Sequence, residues 1–480
     1  MRQAVKRLMA AALLGLALPG LALAQDGEIV TKQYDDGSFY EGTFLNGRQH
    51  GTGTYTLPNG YSYTGDWVAG EITGMGVARY PNGSVYEGQF AAGKPEGRGK
   101  ITYADGGSYD GDWTNGQMTG EGVARYADGS VYTGAFLNGK HHGIGVQDGP
   151  DGYRYEGGWT EGVKDGKGRV TYADGTVFDG TLKAGQREGE GSLTMPDGLV
   201  YVGQWAGGQI NGSGKLTQAN GDVYEGSFVD GQRQGEGRAT SANGDVYEGG
   251  FQANKRAGKG VFRAKDGTVL EGDWLDGRLT GVGRITFPDG AIYEGAVKND
   301  EADGTGKITY ADGAIYDGTW VAGIIDGTGT ATYATGAVYT GGFKAAKPHG
   351  SGTMTLPDGY RYEGTWENGQ RAGKGTATYA DGTVYTGDFV AGLRSGKGEL
   401  TGPDGFVYTG DWKDGEIDGL GSATYPNGDR YDGSFAKGRR SGQGKLTYAS
   451  GQVAEGLWEN GILMAPSPAP TDPAAPTPSP

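Results

Sequence analysis

Cysteine is absent from this 480-residue chain. That excludes disulfides, thiolate metal sites, a cysteine nucleophile and a lipid-modified cysteine. Histidine is almost absent: His50, His141, His142 and His349 each sit in a loop before a recurring glycine, where a metal at His141 and His142 would be adventitious. Apolar residues make up only 35% of the chain and form no second long run after residue 24. A thick aliphatic core is thereby excluded, as is a second membrane-spanning helix. Positive charge is also short, with 42 Lys and Arg against 58 Asp and Glu and a net charge of −16, so nucleic acid is not an expected partner. Neither a GxSxG nucleophile elbow nor a GxxxxGK[ST] phosphate loop occurs.

Glycine and tyrosine are abundant, at 100 and 30 residues. They recur in phase. The positions Tyr40, Tyr63, Tyr86, Tyr109, Tyr132, Tyr155, Phe178 and Tyr201, and onward to Tyr431 and Ala454, are spaced by 23 without a slip. A fixed period of this length marks a repeat architecture in which each unit packs only on its neighbours. Within the unit, Tyr86, Gly88 and Phe90 alternate along one strand, and Gly97, Gly99, Ile101 and Tyr103 along the next. Asp105-Gly106 supplies the turn between units. The expected fold is all-β: an elongated, single-layer antiparallel ribbon of hairpins. Two strand spacings per hairpin extend it to roughly 180 Å before twist shortens it.

The stretches YEGTFLNGRQHGTG from Tyr40 and YEGTWENGQRAGKG from Tyr362 resemble MORN (membrane occupation and recognition nexus) repeats. The resemblance extends over about nine-tenths of the chain. It implies a twisted hairpin ribbon that serves as a scaffold or contact surface, sometimes at membranes, with no catalysis in the repeats. Asn254, Asp300 and Ala346 depart from the pattern at the loop glycine, and Leu182 and Val297 at the aromatic, marking candidate changes of twist.

The chain ends differ from this array. Residues 1–24 carry Arg2, Lys6 and Arg7, an apolar run broken at Pro19-Gly20, and Ala22-Leu23-Ala24, the pattern of a cleaved export signal. Residues 25–39 read as an N-terminal cap with a partial repeat, residues 40–463 as about 19 repeats, and residues 464–480 as a disordered proline-rich tail. The expected location is periplasmic or secreted, with membrane association left open.

All nine tryptophans fall at the aromatic position five residues into a unit, mostly 46 residues apart, with one phase slip around Phe228 and Phe251. An apolar residue usually follows five positions later. The row Trp67, Ile72, Trp113, Met118, Trp205, Ile210, Trp274, Leu279, Trp320, Ile325, Trp366, Trp412 and Ile417 is therefore the candidate partner-contact surface. Large-small packing of a twisted sheet is the competing explanation, and sequence leaves both open. The outward acids, such as Glu225, Glu248 and Glu294, face cations across the ladder at Lys215, Arg238 and Arg284 and read as surface pairs. With no catalytic constellation and no cofactor motif, the expected function is a non-enzymatic exported scaffold. Its partner would be a protein or a second copy, and lipid or polysaccharide binding is the alternative.

Overall fold

The computed structural model describes residues 28–466, with side chains to Met464. The predicted export signal, and the tail beyond Pro466, lie outside the described residues. Met464 to Pro466, assigned by composition to the tail, instead close the last strand, Ile462–Pro466. The chain divides into two compact units, one ending at Ile210 and one starting at Asn211. Each is built from strands alone, with no helix among the described residues.

The first unit runs from the strand Val30–Gln33 to Val200–Ala206, each strand pairing antiparallel with its neighbour in sequence. The second repeats the same meander from Gly212 to Pro466. One hairpin illustrates both. Val85–Ala91 turns at Ala92-Gly93 into Lys94–Thr102, which turns at Ala104–Gly106 into Ser108–Thr114.

The strands are of unequal length for a reason the alternation did not reveal. Between the pairs Gly88↔Gly99 and Phe90↔Pro95 the register shifts, and the longer strand accommodates the excess as a bulge. Gly97, at φ +65°, takes the left-handed conformation that the bulge requires. Simple parity therefore holds from Gly99 to Tyr103 and fails before it. Side chains from the neighbouring strand close the bulge: Asp66 Oδ2 accepts from Met75 N at 2.8 Å and Asp411 Oδ2 from Leu420 N at 2.9 Å.

The core is a ladder of rings lying on one face. Tyr86 is fully buried, and its hydroxyl donates to the carbonyl of Gln89 at 2.9 Å, which draws the ring flat along its own strand. The ring then covers Gly88 and Gly99; a Cβ on Gly99 would stand 2.0 Å from the Tyr86 hydroxyl. Rings meet edge to face within a strand, Tyr86 with Phe90 at 5.0 Å, and between adjacent hairpins, Tyr63 with Phe90 at 5.0 Å, Tyr86 with Trp113 at 5.1 Å and Tyr109 with Phe136 at 4.8 Å. Such contacts contribute about 0.5–1.5 kcal/mol each beyond area burial. Glycine supplies the floor and tyrosine the filling, so a single layer buries aromatic area without a second sheet.

The departures from the repeat leave the backbone intact. Asn254, Asp300 and Ala346 keep the positive φ of the loop glycine at 70°, 75° and 62°. The side chains of Asn254 and Asp300 accept from Arg233 N at 2.9 Å and Leu279 N at 2.7 Å. The hairpin register there, Phe251↔Arg256 and Val297↔Ala302, matches that of the other units. The pairing register is therefore undisturbed at these positions.

Candidate functional site

The tryptophans hold a definite place in this ladder. Each indole Nε1 donates to a glycine carbonyl of the preceding unit: Trp113 to Gly99 at 2.9 Å, Trp274 to Gly260 at 3.0 Å, Trp320 to Gly306 at 3.1 Å and Trp366 to Gly352 at 3.1 Å. Trp67, Trp205 and Trp412 do the same at 3.3 Å. All of them are buried, with 3–7% of their surface exposed. The indoles of the predicted row are thus packed under other side chains, and an intervening hairpin such as Phe90↔Pro95 stands between successive tryptophans.

The covering side chains sit five residues after each aromatic and lie directly across the hairpin from it, as Ile72 does from Trp67 and Met118 from Trp113. Leu279 and Ile325 are buried, while Ile72, Met118, Ile210 and Ile417 are half-buried. Elsewhere the same position holds a cation. Arg394 lies 4.3 Å over the Trp412 ring and Arg440 lies 4.4 Å over Trp458. Their guanidinium groups also donate to the turn carbonyls of Gly415 at 2.7 Å and Gly461 at 2.8 Å. Cation–π contact and turn capping thus combine on one side chain. Lys164 fills the position in the Trp159 hairpin, 4.5 Å over Tyr153, and burial pushes its ammonium pKa down.

His141 belongs to this cover, not to a free loop. It stacks on Tyr132 at 3.6 Å, and its Nε2 lies 2.6 Å from the Tyr126 hydroxyl. Burial, reinforced by the nearby Lys164, holds its pKa down at about 4. It is therefore neutral at pH 7, and Nε2 shares one hydrogen bond with the Tyr126 hydroxyl. No group of three or more metal-ligating side chains occurs among the described residues.

A second aromatic row, which the sequence reading did not single out, runs beside the cover at the turns between hairpins. Tyr103, Tyr126, Tyr310 and Tyr333 are 36–42% exposed. Across the turn from each stands a small residue: Gly107, Ser130, Ala314 and Ala337. In other units the ring occupies the opposite flank. Tyr61, Tyr153, Tyr360 and Phe406 face Leu57, Gly149, Leu356 and Gly402 across their turns. Either flank supplies the row with an aromatic, and the recurring Thr-Tyr-Ala-Asp-Gly was the signal available for it. The row lapses over successive turns flanked by Met195 and Leu199, Gln218 and Asp222, Ser241 and Asp245, and Ala264 and Thr268, a stretch that includes the phase slip at Phe228 and Phe251.

At two places where the ring changes flank, a cleft opens between the row and its cover. In the second unit Leu356, Tyr360, Trp366, Arg371 and Tyr379 line a cleft of about 650 Å³. In the first, Tyr153, Lys164, Tyr172, Leu182 and Arg187 line one of about 380 Å³. Each places a cation against a tyrosine hydroxyl, Arg371 on Tyr360 and Lys164 on Tyr153. The opposite face carries exposed ion pairs such as Lys215 with Glu225 at 2.6 Å and Arg238 with Glu248 at 3.2 Å. Pairs so exposed contribute about 0–1 kcal/mol.

As a sequence, the chain matches the MORN repeat in 18 segments, from residues 40–60 through 86–108 and 316–338 to 431–453. No curated protein matches it. Among solved structures it is similar to the TCP domain of SAS-4 from Drosophila melanogaster in complex with a proline-rich motif of Ana2, at 15% identity, 41% of this chain, 88% of that chain and TM-score 0.20. It is also similar to the TCP10 domain of CPAP from Danio rerio in complex with a STIL peptide, at 14% identity, 57% of this chain, 94% of that chain and TM-score 0.17. A catalytically inactive virginiamycin B lyase from Staphylococcus aureus with quinupristin matches at 12% identity, 62% of this chain, 97% of that chain and TM-score 0.11. Scores this low carry neither partner nor reaction to this chain.

Proposed function

From the premise that the chain belongs to the MORN-repeat family, we propose that it is a non-enzymatic protein-binding scaffold, exported by its N-terminal segment, whose contact surface is the turn-edge aromatic row with its adjoining clefts. The observation that carries this reading is the half-exposed row itself. Tyr103, Tyr126, Tyr310 and Tyr333 offer large, stiff, amphipathic rings at regular intervals. Rings of this kind provide contact area at low entropic cost. The predicted Trp row then acts as the platform that holds the edge in place, with Ile72, Met118 and Ile417 as its reachable apolar part. The clefts beside Arg371 and Lys164 suit a side chain with an apolar stem and a carboxylate end.

Affinity capture from an extract of the producing cells tests the proposal. Wild-type protein should retain a protein in stoichiometric amount, and Tyr310→Ser with Tyr333→Ser should release it while circular dichroism stays unchanged. Recovery of lipid or glycan alone, weakened by Trp113→Ala with Trp320→Ala, would replace the scaffold with the alternative. Turnover by pure protein that a point substitution abolishes would replace it with an enzyme.

A further inference from the structure

The rings of the turn edge are unevenly spaced wherever they move between the two flanks of a turn. In the second unit one stretch keeps to a single flank for three turns. Phe287, Tyr310 and Tyr333 directly follow the long strands Arg278–Thr286, Glu301–Thr309 and Ile324–Thr332, and they are 23 residues apart. Their exposures are alike, at 37%, 37% and 38%. One short strand lies between each two of these long strands, so successive rings are separated by two strand spacings, about 9.6 Å.

The surroundings of these rings are apolar and acidic. Ala291 and Ala314, just before the two intervening short strands, stand between neighbouring rings and leave slots there. The covering position of the same hairpins holds Leu279, Ala302 and Ile325, all buried, where other hairpins place arginine. Among the described residues, the Tyr310 and Tyr333 hydroxyls have no hydrogen-bond partner. Burial raises the pKa of both phenols, with the carboxylates of Asp289 and Asp312 adding to it at Tyr310, so both remain donors at pH 7. Asp289 and Asp312 each spend one oxygen on their own turn, accepting from Ala291 N and Ala314 N at 2.9 Å. Neither is in an ion pair among the described residues.

This spacing selects among backbone conformations. A polyproline II helix has three residues per turn and rises about 3.1 Å per residue, so proline at every third position recurs about every 9.3 Å. Three such prolines stay in step with three rings, whereas an extended strand returns a side chain to the same face about every 6.8 Å and misses the second ring. The helix makes no internal hydrogen bonds, which leaves its carbonyls open to the two phenols. Aromatic-lined grooves suit such segments because little conformational entropy is lost on docking. The two unpaired carboxylates call for a cation beside the prolines.

We infer that Phe287, Tyr310 and Tyr333 bind a proline-rich segment of another protein in the polyproline II conformation, with proline at every third residue and Lys or Arg beside the prolines. The inference rests on the reading of the turn edge as the contact surface and adds the class of partner. The chain's own tail has the spacing, at Pro470, Pro473 and Pro476, but carries Asp472 and no cation. It therefore separates spacing from charge.

Fluorescence anisotropy on the full chain tests this with a labelled peptide that has proline at every third position and arginine at each end. The peptide should bind, and hydrogen exchange should show protection at the turns between residues 287 and 337. Moving the same prolines to every fourth position should weaken binding roughly tenfold or more, as should Tyr310→Ser with Tyr333→Ser at unchanged circular dichroism. Asp289→Asn with Asp312→Asn keeps the turn hydrogen bonds and should lower affinity for the arginine peptide and flatten its salt dependence. A peptide of residues 467–480 should bind more weakly than the arginine peptide. No binding, equal binding of the respaced peptide, or equal binding of the tail peptide overturns the inference. If the serine variant loses its β signal, the asparagine variant decides, and unchanged affinity there overturns it. A captured protein that Tyr310→Ser with Tyr333→Ser releases, with no proline peptide bound, overturns this inference and leaves the scaffold reading standing. Lipid or glycan recovered alone, with no peptide bound, removes both.

Discussion

The smallest part of this design is one tyrosine lying on two glycines. Its requirement is steric, so it can be tested at Gly99, where an added Cβ meets the Tyr86 ring on three atoms between 2.0 and 2.7 Å. Gly99→Ala should destabilise its hairpin by about 1–3 kcal/mol, the cost of overpacking. Gly93→Ala meets nothing within 4 Å and should cost only about 1 kcal/mol for its positive φ. Hydrogen exchange of amides 86–102 reads both locally. His141 makes a second residue-scale prediction. Its pKa in the fold, about 4, lies below the ordinary 6.5, so below pH 6.5 the unfolded chain binds the extra proton. Its contribution is present above pH 6.5 and is lost as pH falls towards 4. Exchange protection around residues 126–159 should fall across that window in wild type and stay level in His141→Phe.

At the scale of the hairpin, alternation of Trp with Phe is a packing device with a hydrogen bond attached. Trp366→Phe reproduces the neighbouring Phe343 and Phe389 units and removes the bond to Gly352, so it should fold with a local loss of about 1 kcal/mol. Ile325→Lys with Ile417→Lys should also keep the sheet, since Lys164 already occupies that position opposite Trp159. If the cover contributes to contact, that variant loses partner affinity at constant circular dichroism. The hairpin was legible in sequence because Tyr-x-Gly and Asp-Gly recur in fixed phase. The bulge was not, because a two-residue alternation looks unbroken when glycine stands on both sides of the shift, at Gly97 and Gly99. The burial of the indoles was equally hidden: periodicity places Trp113 on a face, but whether Met118 and its neighbours cover that face depends on geometry. The edge row escaped because its ring moves between two turn positions, so neither column is aromatic throughout.

At the scale of the whole molecule, stability is a sum over hairpins and their neighbour contacts. Alkali addresses that sum, since burial raises the buried phenols, Tyr63 and Tyr385 each to about 12. Below pH 10 both states hold these protons. Above it the unfolded chain releases them first, so stability should decline from about pH 10 and be largely lost as pH passes 12. Tyrosinate absorbance and circular dichroism should then change together. The central claim, that the inner ring row holds the fold while the turn edge makes the contact, calls for one paired measurement: thermal stability and affinity for the captured protein in Trp320→Phe with Trp366→Phe, and in Tyr310→Ser with Tyr333→Ser. The account predicts that the first pair lowers stability and leaves affinity unchanged, and that the second lowers affinity and leaves stability unchanged. Affinity lost with the tryptophans and retained without the edge tyrosines would contradict it.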